Sequence, residues 1–98
     1  MKTEYIPQEN ADRLYQILTR ANGCYFKVYD TDSHVITTRF PEKLISAIDG
    51  GDEEIRVEIY DRSTREFQGI MCLLPYDCPD SVPYDYSDNA FMKKLLDF

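Results

Sequence analysis

The chain contains no tryptophan, a single histidine and only four glycines. With so few glycines, it offers no glycine-rich loop of the kind that cradles phosphates. With one histidine, His34, it has one base of the usual kind for activating a thiol. Its three cysteines show none of the close pairing that zinc ligands or a disulfide framework display. We therefore expect a protein that is not an enzyme, that carries no cofactor and that binds no metal.

Long apolar runs are also missing, because no stretch approaches the roughly 18 residues that a bilayer-spanning helix needs. Residues 1–7 lack the apolar centre of a secretory signal. Cys24, Cys72 and Cys78 are odd in number, which is untypical of a secreted disulfide scaffold. We expect a cytoplasmic protein that does not contact a membrane.

Positive charge is in short supply, with 11 Lys and Arg against 18 Asp and Glu and a net charge of −7. Each phosphate contact needs a cation, so we expect no direct binding to nucleic acid. Negative charge commonly serves solubility. It also suits a protein partner with a basic surface, such as a nucleic-acid-binding protein, because opposite potentials steer association.

The chain has 98 residues, which is the size of one domain. Its apolar and polar residues follow regular patterns that predict helices and strands. Apolar residues at helical spacing predict a first helix over about residues 7–21, begun by Pro7 or capped by Asn10. Strands are predicted at residues 24–30, 35–40, 54–60 and 67–74. A second helix is predicted after Pro41, and a third is predicted after Ser87 or Asp88, with Phe91, Leu95 and Phe98 on one face.

The order α-β-β-α-β-β-α predicts a single compact α+β domain over residues 1–98. We expect a four-stranded, mainly antiparallel sheet with helices packed on one face, and the strand order stays open. Residues 70–74 are apolar on both strand faces, so we place that strand at the sheet centre. Residues 24–30 are a candidate exposed edge, which a second chain could extend.

A loop punctuated by Pro75, Pro79 and Pro83 interleaves tyrosine with aspartate, and residues 67–92 contain no Lys or Arg. Tyrosine supplies contact area with little loss of entropy, and aspartate supplies directed charge for a cation. Loops on a rigid scaffold often carry function. The candidate partner-binding residues in this loop are Asp77, Asp80, Tyr84, Asp85, Tyr86 and Asp88.

A second acidic group lies between the second helix and the third strand: Asp49, Asp52, Glu53 and Glu54. If the two groups share one side of the fold, they form a partner-binding face. The other interpretation is that both are solvated turns, with tyrosines covering a small core. Arg56, Arg62 and Arg65 make the hairpin between the last two strands basic, so the surface is not uniformly acidic.

In its general profile, which is short, acidic, tyrosine-rich, α+β and without motifs, the chain resembles phage and mobile-element proteins that inhibit host defence, including anti-CRISPR and anti-restriction proteins. This resemblance of type implies an inhibitor that docks an acidic Tyr/Asp face on a basic groove of its target. The alternative is a small homodimeric structural or regulatory module of a bacterial cell, because a chain of this size has a limited core.

Overall fold

The computed structural model describes residues 1 to 97. Across these residues the helices are α1 (Gln8–Arg20), α2 (Pro41–Ile48) and α3 (Ala90–Leu95). The strands are β1 (Cys24–Asp30), β2 (Ser33–Thr38), β3 (Ile55–Asp61), β4 (Phe67–Leu73) and β5 (Asp85–Tyr86), and a 3₁₀ helix, Pro79–Ser81, precedes β5. None of the helices in residues 1–97 has the length and apolar character needed to cross a bilayer.

The strands form one antiparallel sheet in the order β2-β1-β3-β4-β5. The predicted class, α+β with an antiparallel sheet, is therefore confirmed, whereas the prediction of four strands is wrong. The fifth strand, β5, has two residues and pairs with β4 through Met71 opposite Tyr86 and Cys72 opposite Asp85. Two residues are too few to produce an alternating pattern, and the surrounding prolines predict a loop, so the sequence does not predict this strand.

Two predictions about strand position are also corrected. Strand β1 is not an edge, because it pairs along its length with β3 on one side and with β2 on the other. Strand β2 takes the edge instead. Strand β4 is not central, because beyond it lies only the short β5. Its outward-facing Ile70 and Cys72 are half-buried, which explains the apolar pattern that predicted a central position.

The core lies on one face of the sheet, where the predicted alternation of β3 is confirmed. Ile55, Val57 and Ile59 are buried in the same apolar cluster as inward-facing residues of β1 and β4 and the apolar stripes of all three helices. The alternate residues, such as Arg56 and Tyr60, are only half-buried. The helices therefore cover one face, as expected. The opposite face, here called the outer sheet face, carries no helix in residues 1–97.

Of the two starts predicted for α1, the one at Pro7 agrees with the structure, because Pro7 occupies the cap position directly before Gln8. Asn10 is not a cap but a residue inside the helix with 1% of its surface exposed. At α3, the cap is Asn89, whose side chain accepts a hydrogen bond from the Met92 amide. Met92 and Leu95 of α3 are buried in the core, and the predicted Phe91 is half-buried and packs against it. Phe98, predicted to share that face, lies outside the described residues.

Candidate functional site

The two acidic segments meet at the end of the sheet where β3 begins and β4 ends. The Tyr76 hydroxyl donates to the carbonyl oxygens of Ile48 at 3.2 Å and Gly51 at 3.3 Å. These bonds hold the loop that follows β4 against the turn that follows α2. A cavity of about 450 Å³ lies between them, and its lining includes Glu53 and Asp77.

Helix α1 holds the loop that carries Asp77 in place through hydrogen bonds. The Asn10 side-chain amide donates to the Pro75 carbonyl at 2.8 Å and to the Asp77 carbonyl at 2.5 Å. Because Asn10 is buried, these bonds are shielded from competing water. A further backbone bond, from the Leu74 amide to the Ser81 carbonyl at 2.9 Å, closes the loop. The backbone of Asp77 is therefore held in one place while its carboxylate remains exposed.

Tyr84 connects the second acidic segment to strand β4. Its backbone amide donates to the Cys72 carbonyl at 3.0 Å. Partial burial, together with hydrogen bonding to Glu54, raises the pKa of the Tyr84 hydroxyl to about 12. Burial also raises the pKa of the Cys72 thiol, with the charges of Asp85 and Glu54 adding to the effect. Glu54, Tyr84 and Asp85 thus lie around Cys72 of β4.

We name this group the acidic rim, and its members are Glu53, Glu54, Asp77, Tyr84 and Asp85. All five are exposed. The ion pairs found among residues 1–97 are Arg56 with Glu58 and Lys93 with Asp88, so none involves the rim. Carboxylates that face solvent without a cation create a local negative potential.

Asp49, a predicted partner-binding residue, holds the N-terminal segment through its carboxylate. Its carboxylate accepts the backbone N–H groups of Glu4 at 2.7 Å and of Tyr5 and Ile6 at 2.9 Å each. Partial burial raises the pKa of Asp49, but the three N–H donors outweigh it and hold the pKa below its ordinary value. This carboxylate ties the N-terminal segment to the end of α2.

The other predicted site residues make different contacts and are not counted in the rim. Asp88 forms an ion pair with Lys93 at 2.8 Å, across the first turns of α3. Asp80 is exposed on the 3₁₀ helix, which packs against α1. Asp52 lies 3.5 Å from the Thr31 hydroxyl. Tyr86 is 44% exposed and lies in β5 opposite Met71.

At the opposite end of the sheet, cationic residues that are distant in the sequence come together. Lys27, Arg39, Arg62 and Arg65 line one hollow of about 420 Å³, here called the cationic hollow. The sequence indicated only the arginines of the β3–β4 hairpin. Antiparallel pairing adds the other two, because it places the start of β1 and the end of β2 at the same end. The signal needed to place them beside the arginines of the β3–β4 turn was the pairing of β1 with β3, which the open strand order did not supply.

Within residues 1–97, no group of three or more His, Cys, Asp or Glu side chains is arranged to hold a metal ion. The cysteines are free: Cys24 is buried, Cys72 is half-buried and Cys78 is exposed. No protein-family model, no curated protein and no solved structure matches this chain.

Proposed function

We propose that this chain is a non-enzymatic protein-binding domain that docks its acidic rim on a basic groove of a partner protein. The observation that carries the proposal is that Glu53 and Asp77 line one cavity and that Glu54 and Asp85 lie beside Cys72 at the same end of the sheet. All four are exposed and have no ion pair among residues 1–97. A carboxylate that has no cation of its own is available to an arginine or lysine of a partner.

The rigidity of the rim supports the same role. Asn10 and Tyr76 fix the loop that carries Asp77, and the bond from the Tyr84 amide to the Cys72 carbonyl fixes the backbone of Tyr84. A surface that is ordered before it binds loses less entropy on association. Tyr84, 44% exposed beside the carboxylates, adds apolar contact area to the charged contacts.

An inhibitor of a host defence, encoded by a phage or mobile element, is the specific form that we favour. A nucleic-acid-binding defence protein has a basic groove, and an acidic rim that occupies the groove would exclude the nucleic acid. This role requires the cytoplasmic location expected from the sequence. Association steered by charge weakens as ionic strength rises, so binding to the partner should be strongest at low salt.

The test is affinity capture from a lysate of the organism that encodes the chain, followed by measurement with two matched variants. The rim variant carries Glu53→Gln, Glu54→Gln, Asp77→Asn and Asp85→Asn. The control variant carries the same kinds of change at exposed sites elsewhere: Glu9→Gln, Glu66→Gln, Asp32→Asn and Asp97→Asn. Each set changes the net charge from −7 to −3.

We expect the rim variant to lose the partner, with affinity at least tenfold weaker than that of the control variant, because it lacks charge pairs worth about 1.5 kcal/mol or more each. Equal affinity of the two variants would show that net charge, and not the rim, governs binding. A partner whose binding is insensitive to salt would also overturn the proposal.

The homodimeric structural or regulatory module of a bacterial cell is retained as a second candidate because β2, and not β1, is an open sheet edge. Its residues 33–38 include two threonines and no proline, so its outward backbone groups can pair with an added strand. Light scattering over a range of protein concentrations decides this point. A concentration-independent monomer removes the homodimer and leaves the rim proposal intact.

A further inference from the structure

The cationic hollow gathers positive charge in a protein whose net charge is −7. Its lysine and three arginines come from β1, the end of β2 and the β3–β4 turn. None of them belongs to an ion pair among residues 1–97. Neighbouring cations repel one another, so an anionic ligand placed between them would be strongly favoured. The planar fork of arginine matches phosphate oxygens in pairs.

Aromatic rings lie directly beside these cations. Tyr25 lines the hollow and stacks one face on Tyr60, with ring centres 5.3 Å apart and planes 12° apart. Strand β1 lies between β3 and β2, so the other face of Tyr25 is turned toward β2 and the hollow. Phe67 meets Tyr60 edge-on at 5.6 Å and is 53% exposed. Rings exposed beside cations are the surfaces on which nucleic-acid bases stack.

The size of the hollow favours a segment of a flexible ligand over a second copy of this chain. Its volume of about 420 Å³ lies within the range of roughly 300–1,000 Å³ for small-ligand sites. The whole outer sheet face measures roughly 20 Å by 20 Å, from the usual strand spacings. A dimer through that face would bury about half of the ~800 Å² per partner that stable complexes need.

We propose that the cationic hollow and its neighbouring rings bind single-stranded nucleic acid. Phosphates contact Arg39, Arg62 and Arg65, and a base stacks on the open face of Tyr25. An acidic peptide would neutralise the arginines but would leave the rings without a partner. The net charge led us to expect no nucleic-acid binding, but net charge averages over the surface, whereas a ligand responds to the local potential.

The binding test uses fluorescence anisotropy with a labelled single-stranded oligonucleotide of about eight nucleotides, within the usual site size of one small domain. Three to four phosphate contacts on a single strand predict a fall in affinity of roughly 20- to 50-fold between 50 mM and 200 mM salt. Absence of binding at 50 mM salt overturns the proposal.

Two pairs of variants locate the site. Arg39→Gln with Arg62→Gln should weaken binding roughly 60-fold at 50 mM salt, from the loss of two phosphate contacts. Lys2→Gln with Lys94→Gln removes the same charge at other exposed positions and should have a much smaller effect. An equal loss in the two pairs would mean that binding follows net charge alone and would overturn the assignment to the hollow.

Changes at one ring separate stacking from charge. Tyr25→Phe keeps the ring and should retain affinity, whereas Tyr25→Leu should lose about tenfold. If both changes are neutral, no base stacks there and the proposal fails. Competition supplies the last control: a mononucleotide, a duplex of the same length or polyglutamate that competes as well as the single strand would overturn the assignment of the ligand.

Discussion

Replacement of Asn10 by alanine tests how the loop of the acidic rim is held. The change removes two hydrogen bonds, to the Pro75 and Asp77 carbonyls. A typical bond contributes about 1 kcal/mol, and a buried acceptor left without a donor costs about 1–3 kcal/mol. The higher helix propensity of alanine stabilises the fold by a few tenths of a kcal/mol and offsets a small part of this loss. We expect the free energy of unfolding to fall by about 2–4 kcal/mol.

That loss is measurable by urea denaturation, because a domain of this size has a stability of about 5–15 kcal/mol and stays folded. It also corresponds to a fall in Tm of about 10–25 °C. Gln16→Ala is the matched control, since Gln16 is exposed on the same helix and its loss should change stability by less than about 0.5 kcal/mol.

Asn10→Asp separates shape from hydrogen bonding. The aspartate has almost the same shape, but it presents oxygen atoms to two carbonyl oxygens and buries a charge. It should therefore destabilise the protein more than alanine does. If Asn10→Ala is as stable as the Gln16→Ala control, Asn10 does not hold the loop and the rim is not fixed in the way described.

Three further predictions concern other contacts. Gly69→Ala should destabilise the fold by about 1–3 kcal/mol, because the added methyl group would lie 2.5 Å from Cγ of the buried Met92. Urea denaturation measures this loss, and an unchanged midpoint would refute the close packing of α3 on β4. N–H donors hold the pKa of Asp49 below its ordinary value of 3.8. The stabilisation that the Asp49 carboxylate provides is therefore complete above pH 3.8 and is lost as the pH falls below that value. Asp49→Asn should be less stable at neutral pH and lose less on acidification, and equal acid sensitivity would contradict this. Glu54→Gln should lower the pKa of Tyr84 from about 12, which ultraviolet titration of the tyrosines measures against Glu66→Gln; no change would mean that Glu54 does not contact Tyr84.

Local patterns in the sequence predicted most of the elements. The alternation of Ile55, Val57 and Ile59 fixes which face of β3 is buried, because successive side chains of a strand point to opposite sides. Pro41 begins α2 as expected, because its fixed φ suits a first helical turn. Such features depend on a few neighbouring residues, so one sequence is enough to find them.

The features that were missed depend on distant partners. Asn10 looked like a helix cap because its side chain suits that role, but its acceptor at Pro75 is 65 positions away. The edge position of β2 follows from sheet order, which no local pattern encodes. Asp49 and Glu53 are close in the sequence, yet one anchors the N-terminal segment and the other faces solvent. Which of the predicted site residues lie together therefore depends on the fold and could not be predicted from the local sequence.

Hydrogen exchange of this chain in complex with its captured partner tests directly whether the acidic rim is the docking surface. We expect slowed amide exchange concentrated at residues 52–54, 76–78 and 84–86, the segments that carry the acidic rim. The end of the sheet around Arg39 and Arg62 should exchange as it does in the free protein. Protection at that end with unchanged exchange at the rim would contradict the proposed function.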